Sequence, residues 1–196
     1  MTNPYLPNES PHGTPQGTGD FDDTWVSPAV WLLGATREAG VSTLERFWAF
    51  TADSEGSWPP GDDRERVSPY VVIVARESFK SLSAAQNLAL AHDRGEVGAG
   101  AELLGLITVA AAPNLEKPIR QHRDVVSAAF DTVWHIAWHR HLLSASLSRL
   151  PRWHSLDPAA LTPSSGFPAD VHHAAIDLTN TVHARIPTLL TPGVST

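Results

Sequence analysis

The chain has 196 residues, of which 42% are hydrophobic and 18% charged, with a formal net charge of −7 and no cysteine. This length and apolar content predict one domain with a sizeable core. The acidic balance argues against non-specific nucleic-acid binding, and the absence of cysteine excludes disulfides and thiolate metal sites. Because no apolar run reaches the length of a membrane helix and no secretory signal pattern is present, we expect a cytoplasmic protein without membrane insertion.

The first half of the chain predicts two strands, each followed by a helix. Residues 1–27 are rich in Pro, Gly, Asn, Thr and Asp, which predicts a disordered arm. Apolar runs typical of buried parallel strands then alternate with stretches of helical spacing. The predicted elements are the strands Ala29–Gly34 and Tyr70–Ala75 and the helices Val41–Thr51 and Ser78–Asp93. Ser78 or Ser81 is expected to cap the second helix, and Ser54–Ser68 is predicted to be a loop.

The second half continues the alternation. The predicted elements are the strands Leu103–Ala110 and Val133–Trp138 and the helices Pro118–Phe130, Leu142–Leu150 and Asp170–Ile186. Alternating strands and helices favour the α/β class, here a small three-layer fold with a parallel sheet and crossover helices. We assign residues 28–155 to this domain and residues 156–196 to a C-terminal helix and tail.

The segment after the first strand has the frame of a phosphate-binding loop. Such loops read G-x-x-x-x-G-K-[ST] between a strand and a helix, where backbone N–H groups and the helix start attract phosphate. With Gly40 as the second glycine, Ala35 takes the first glycine position, Val41 the lysine position and Ser42 the hydroxyl position, with Thr43 next. The lysine that offsets charge developing on the phosphates is therefore missing.

The charges inside this loop oppose each other. Arg37 has the wrong spacing to replace the lysine, Glu38 would repel phosphate, and Gly34 adds conformational freedom just before the loop. Three interpretations stay open: a plain strand-to-helix turn, an inherited loop with little or no nucleotide binding, or a site for ATP or GTP with Mg²⁺ on a loop hydroxyl. In the third case the binding residues are Gly34, Ala35, Arg37, Gly40, Val41, Ser42 and Thr43.

Four segments in this order resemble a family of uncharacterised actinobacterial proteins often associated with plasmids and integrative conjugative elements. The segments are WLLGATREAGVST, YVVIVARESFKSLSAAQNLAL, ELLGLITVAAAPN and VWHIAW, between Trp31 and Trp138. The family's loop typically reads G-A-x-G-G-A-G-V-S-T, with Val at the lysine position, and a W-x-x-P-W element follows late in the chain. Here Arg37 and Glu38 replace the glycine pair, and Ala137 replaces that proline. The resemblance implies a fold more than an activity.

More distantly, the order is similar to the ParA/MinD-like P-loop NTPases, which implies a reduced P-loop NTPase-like fold with a degenerate Walker A loop. In that division a Walker B strand ending in Asp precedes the strand similar to Tyr70–Ala75. Only about residues 52–69 lie between the first predicted helix and that strand here, and Asp62 and Asp63 fall in a Pro/Gly loop. The resemblance thus implies that the Mg²⁺-holding carboxylate is lost as well as the lysine, and both losses argue against hydrolysis.

The histidines after the fourth strand suggest metal ligands. However, His135 and His139 share a face only in a helix, whereas the alternation of Trp134 and Ile136 favours a strand, and no acidic residue is near in sequence. We therefore expect exposed histidines and no metal site.

Lys117, Arg120 and Arg123 recur at three-residue spacing on one predicted helix. A solvated helix face is the favoured interpretation, and contact with phosphate or nucleic acid through this local patch is the alternative.

Trp138 is expected near the carboxyl end of its strand, where it packs in the core or serves as a stacking or partner-binding group.

These observations lead to a preferred function and an alternative. The preferred function is a non-hydrolysing adaptor with a degenerate P-loop, which binds a protein partner in the maintenance or transfer of a mobile element. The alternative is a switch in which ATP or GTP, with Mg²⁺, binds the degenerate loop and orders the adjacent surface. We assign no catalytic residue, no metal site and no certain cofactor, and we expect an active NTPase only if a partner supplies the missing groups.

Overall fold

Five strands form one parallel sheet. The computed structural model describes residues 28–59, 67–97, 100–154 and 167–185 of the chain. The strands are β1 (Val30–Gly34), β2 (Thr51–Asp53), β3 (Tyr70–Arg76), β4 (Glu102–Val109) and β5 (Val133–Ile136). Every hydrogen-bonded pair is parallel, and the spatial order is β2-β1-β3-β4-β5. The predicted α/β class with a parallel sheet is confirmed.

Helices cover both faces of this sheet and complete three layers. They are α1 (Val41–Phe47), α2 (Phe79–Asp93), α3 (Lys117–Ser127) and α4 (Ala169–Arg185). Apolar side chains of α1 and α4 share one buried cluster with the sheet, and those of α2 and α3 share a second cluster on the opposite face. Since the sheet is covered twice, its strands are apolar on both faces, as the sequence of β3 suggested.

The predicted helix Val41–Thr51 is wrong in its second half. The backbone turns extended at Trp48, whose carbonyl oxygen accepts the N–H and the hydroxyl of Thr51 at 3.1 and 2.9 Å. Trp48 is fully buried, so the chain folds back beneath α1 rather than continuing along it. Thr51 then starts β2, an edge strand that the sequence did not predict.

The predicted helix Leu142–Leu150 is also wrong. Two short 3₁₀ helices, Arg140–Leu143 and Leu147–Arg149, replace it. Arg46 of α1 donates hydrogen bonds to the carbonyl oxygens of Leu147 and Ser148, so those carbonyls are committed to a partner outside the segment.

The remaining differences are at element ends. Ser78, and not Ser81, caps α2, since its side chain accepts the Ser81 N–H. The strand predicted to reach Trp138 ends at Ile136. The predicted arm over residues 1–27 and the tail beyond residue 185 lie outside the described residues. The helix predicted in the C-terminal segment is present as α4, and it packs into the same core as α1.

The strand order reverses between β1 and β3. From β1 the chain passes through α1 to β2 on one side and then crosses back to β3 on the other. In doubly wound sheets of this order, ligands bind outside the carboxyl ends of the strands, where the order reverses. The loops that follow β1 and β3 are therefore the first places to examine for a site.

Candidate functional site

The loop after β1 is held by hydrogen bonds within the protein. The Ala35 N–H donates to the Val74 carbonyl oxygen at 2.8 Å, which continues the β1–β3 ladder, and the Ala39 N–H donates to the Thr36 carbonyl oxygen at 3.1 Å. The Thr36 hydroxyl lies 3.1 Å from that of Ser81, near the start of α2, and so links the loop after β1 to the helix after β3. Two loop N–H groups are thus used internally.

Val41 fills the inside of the turn instead of reaching toward a ligand. Its side chain is 7% exposed and belongs to the core formed by α1 and α4. A Cβ placed on Gly34 would lie 3.2 Å from Val41 Cγ2, so the end of β1 and the start of α1 approach closely. Gly40 precedes α1 with a φ of 102°, a left-handed conformation that favours glycine. The predicted lysine position is therefore a packing position.

An open cavity of about 510 Å³ lies beside the loop and carries acidic groups. Its lining includes exposed Ser42, together with Asp53 and Glu55 from the end of β2. Asp53 pairs in register with Leu32 of β1, two residues before the loop begins, and its carboxylate accepts the Glu55 N–H at 2.8 Å. A carboxylate thus follows a strand next to β1, although the sequence offered none in that position. Together with Glu38 in the loop, the carboxylates of Asp53 and Glu55 would repel a phosphate that carries no bound cation.

The predicted nucleotide-binding residues divide into two groups. Arg37, Ala35, Gly34, Val41 and Ser42 line the cavity, whereas Gly40 and Thr43 line a smaller cavity on the other side of α1. That smaller cavity has a volume of about 160 Å³ and apolar walls from Leu44, Phe47 and Trp138, among others. Five of the seven predicted residues therefore share one cavity, and two do not.

A polar cluster with two buried members, Glu77 and Thr108, lies at the carboxyl ends of β3, β4 and β5, where the His135 side chain is 54% exposed. Glu77 follows β3 with only 4% of its side chain exposed, and the Thr108 hydroxyl donates to its Oε1 at 3.0 Å. Thr108 is the register partner of His135 on β5, whose Nδ1 lies 2.7 Å from the same hydroxyl. Arg123 of α3 approaches Glu77 Oε1 to 3.4 Å. Three neighbouring strands and one helix thus join an acid, a hydroxyl, an imidazole and a guanidinium.

The proton positions in this cluster follow from its geometry. Because the Thr108 hydroxyl donates to Glu77, His135 donates its Nδ1 proton to Thr108 Oγ1, which leaves Nε2 as an acceptor. Burial, together with the positive charge of Arg123, lowers the pKa of His135 below its ordinary value of 6.5, although Glu77 and Asp124 act against this. Both effects favour the neutral form of His135, in which Nε2 accepts a hydrogen bond.

The predicted basic stripe does not act as one patch. Arg123 is 23% exposed, and its guanidinium binds Asp124 at 2.9 Å as well as Glu77. Burial opposes the charged form, but the hydrogen bond to Asp124 and the charge of Glu77 raise the pKa of Arg123. Arg120 lines an open cleft of about 460 Å³ above this cluster, and Lys117 does not. Three cations at equal spacing therefore have three different environments.

The histidines that follow β4 have different acidic partners. His135 belongs to the cluster with Glu77, and His139 Nε2 lies 2.8 Å from the carboxylate of Asp170 at the start of α4. Asp170 also accepts the Ala137 N–H at 2.6 Å, so it fixes the chain just after β5. Neither acid is near its histidine in sequence. Among the described residues, no group of three or more potential metal ligands occurs.

Comparison with protein-family models, curated proteins and solved structures found no match to this chain. No helix in the described ranges combines the length and the apolar character that a membrane crossing requires.

Proposed function

We propose that this chain acts in the cytoplasm by binding a protein partner and does not hydrolyse nucleotides, with a reduced P-loop NTPase-like fold whose loop after β1 keeps only the frame of a phosphate site. The observation that carries this proposal is the burial of Val41. A catalytic lysine must reach the phosphates from this position. Here the side chain packs with α4 and the sheet, and so the loop supplies no cation of its own there.

Exposed apolar side chains support the partner-binding part of the proposal. Phe79 of α2 is 53% exposed and Val125 of α3 is 64% exposed, and both lie on the same covered face of the sheet. Phe79 stacks on His122 of α3 with ring centroids 5.0 Å apart, so the two helices present one continuous surface. An exposed aromatic ring next to an exposed aliphatic side chain is a surface that a protein partner can cover.

A role in the maintenance or transfer of a mobile element rests on the family resemblance. Its test is the genomic neighbourhood, followed by co-purification of the chain with the products of its flanking genes. We expect at least one of those products to bind the wild type and to be lost with Val125→Glu, while Lys117→Glu on the same helix retains it. Binding that is equal in both variants would contradict the proposed surface.

The second candidate, a nucleotide-dependent switch, is favoured by one observation. The carboxylate of Asp53 and the hydroxyl of Ser42 line the same cavity, and an acid and a hydroxyl are the groups that hold Mg²⁺ in P-loop proteins. The N–H groups of Val41 and Ser42 also have no acceptor within the described part of the chain.

Calorimetry with ATP and GTP, with and without Mg²⁺, distinguishes the two candidates. We expect no Mg²⁺-dependent binding by the wild type. Micromolar binding that requires Mg²⁺ and is abolished by both Asp53→Asn and Ser42→Ala would establish the switch instead. Glu55→Gln is the matched control, because it removes one acidic charge from the same cavity without touching the Asp53 carboxylate.

A further inference from the structure

Glu77 is buried beside the cleft that Arg120 lines, and one of its oxygens is unused. Thr108, Arg123 and His135 all approach Oε1, at 3.0, 3.4 and 4.0 Å. Within the described residues, nothing lies at hydrogen-bonding distance from Oε2. Glu77 lines the cleft, so a donor can reach it from there.

The lining of the cleft also supplies a cation. Arg120 lies one helical turn before Arg123 on α3, but its guanidinium forms no hydrogen bond or ion pair with any described residue. The second acid in the lining, Asp170, is already engaged by His139 and by the Ala137 N–H. The groups left for a ligand therefore include the Arg120 guanidinium, the Asn114 amide and two acceptors, Glu77 Oε2 and His135 Nε2.

The charges in the cleft restrict the donors that a ligand can bring. An ammonium group placed on Glu77 Oε2 would lie beside the Arg123 guanidinium, which already neutralises that carboxylate. Hydroxyl groups donate to Glu77 and His135 without adding positive charge. An anionic head suits Arg120, whose planar guanidinium binds phosphate or carboxylate with two parallel hydrogen bonds.

We propose that this cleft binds a small organic anion that carries hydroxyl groups, of the sugar phosphate or hydroxy acid class. Its anionic head binds Arg120, and its hydroxyls donate to Glu77 Oε2 and His135 Nε2. The cleft has a volume of about 460 Å³, within the range of sites for small molecules. It opens at the carboxyl ends of three parallel strands, where α/β sheets bind ligands. The proposal is independent of the loop after β1 and of partner binding.

Ribose 5-phosphate and gluconate are suitable probes, measured by calorimetry or ligand-observed NMR. We expect at least one of them to bind saturably at millimolar or lower concentration. Inorganic phosphate and ribose, tested alone, separate the two halves of the site, and each should bind more weakly than ribose 5-phosphate. The affinities for gluconate and ribose 5-phosphate, compared with each other, decide whether the anionic head is a carboxylate or a phosphate. If neither probe binds saturably, the proposal is wrong.

Three variants locate the site. Arg120→Ala should weaken binding of the better probe about 10-fold or more, since it removes a charge-assisted hydrogen bond. Lys117→Ala removes the same charge from the same helix outside the cleft and should leave affinity unchanged. Ser42→Ala should also leave affinity unchanged, which separates this cleft from the loop after β1. An equal loss in Arg120→Ala and Lys117→Ala would show non-specific charge attraction and would overturn the assignment.

Glu77→Gln tests the hydroxyl half of the site. The amide oxygen still accepts from Thr108, but the side chain loses its charge and one acceptor. We expect weaker binding of ribose 5-phosphate relative to inorganic phosphate, whose own binding should be equal or stronger because a negative charge near the cleft is removed. If this variant does not fold, Arg120→Ala, an exposed substitution, still decides the proposal.

Discussion

The Thr108 hydroxyl lies between the Glu77 carboxylate and the His135 imidazole, 3.0 Å from Oε1 and 2.7 Å from Nδ1. Thr108 is fully buried, and its neighbours come from the end of β3 and from β5. One hydroxyl thus donates to a buried acid and binds Nδ1 of the histidine, which leaves Nε2 without a partner among the described residues.

Thr108→Val should destabilise the protein by about 1–3 kcal/mol, because it removes a donor from a buried carboxylate while preserving shape. Urea denaturation measures the change in the free energy of unfolding. The matched control is Thr179→Val in α4, which is equally buried but loses only a hydroxyl bond to the Ala175 carbonyl oxygen. Equal losses in the two variants would mean that the Thr108 hydroxyl has no special role.

The titration of His135 should report the charges around it. We expect an NMR pKa below 6.5, because burial and Arg123 disfavour the imidazolium form. Glu77→Gln removes a charge that favours protonation and should lower the pKa further, whereas Arg123→Ala should raise it. A wild-type pKa at or above 6.5 would contradict the arrangement.

The same shift implies a pH dependence of stability. The folded pKa of His135 lies below its unfolded value of 6.5, so folding favours the neutral ring. This contribution is complete above pH 6.5 and is lost as the pH falls through the folded pKa. The free energy of unfolding of the wild type should therefore decrease when the pH is lowered from about 7.5 to about 5.5. We expect this decrease to be smaller in His135→Gln. A pH dependence identical to the wild type would exclude this contribution.

Val41→Lys should destabilise the fold and should not restore nucleotide binding. The substitution places an ammonium group in a core position, and we expect a loss of about 3 kcal/mol or more in unfolding free energy. Ser42→Lys, one residue on but exposed, should change stability by less than about 0.5 kcal/mol. A Val41→Lys variant with wild-type stability and micromolar ATP affinity would show that this side chain is free to turn toward a ligand.

Gly105→Ala should be among the most damaging single-methyl additions in β4. The new Cβ would lie 2.4 Å from the Thr132 carbonyl oxygen, which already accepts the Leu106 N–H. We expect a loss of about 3 kcal/mol or more, measured by thermal unfolding, since backbone must move. Gly56→Ala is the control: its φ of 76° disfavours alanine, but nothing lies within 4 Å, so about 1 kcal/mol is expected. Similar melting temperatures for both variants would contradict this packing.

The sequence by itself was sufficient for the strands of the sheet interior and for the class of fold. YVVIVA and LLGLITV are apolar on both faces, and only a strand covered on both sides buries such runs. The missing lysine at Val41 was likewise evident from the sequence. β2 was not predicted, because three residues, Thr-Ala-Asp, carry no periodicity, and it pairs only because Trp48 turns the chain back along β1.

Only the tertiary structure decided which polar residues act together. Glu77, Thr108 and His135 are separated by about thirty residues at each step, and the sequence predicts Thr108 only as part of a buried apolar strand. They meet because the parallel register places the ends of β3, β4 and β5 side by side. Arg123 of α3 then contacts Glu77. The spacing of these residues along the chain does not predict that they are in contact. It is set by strand order and register, which the packing of helices on two faces selects.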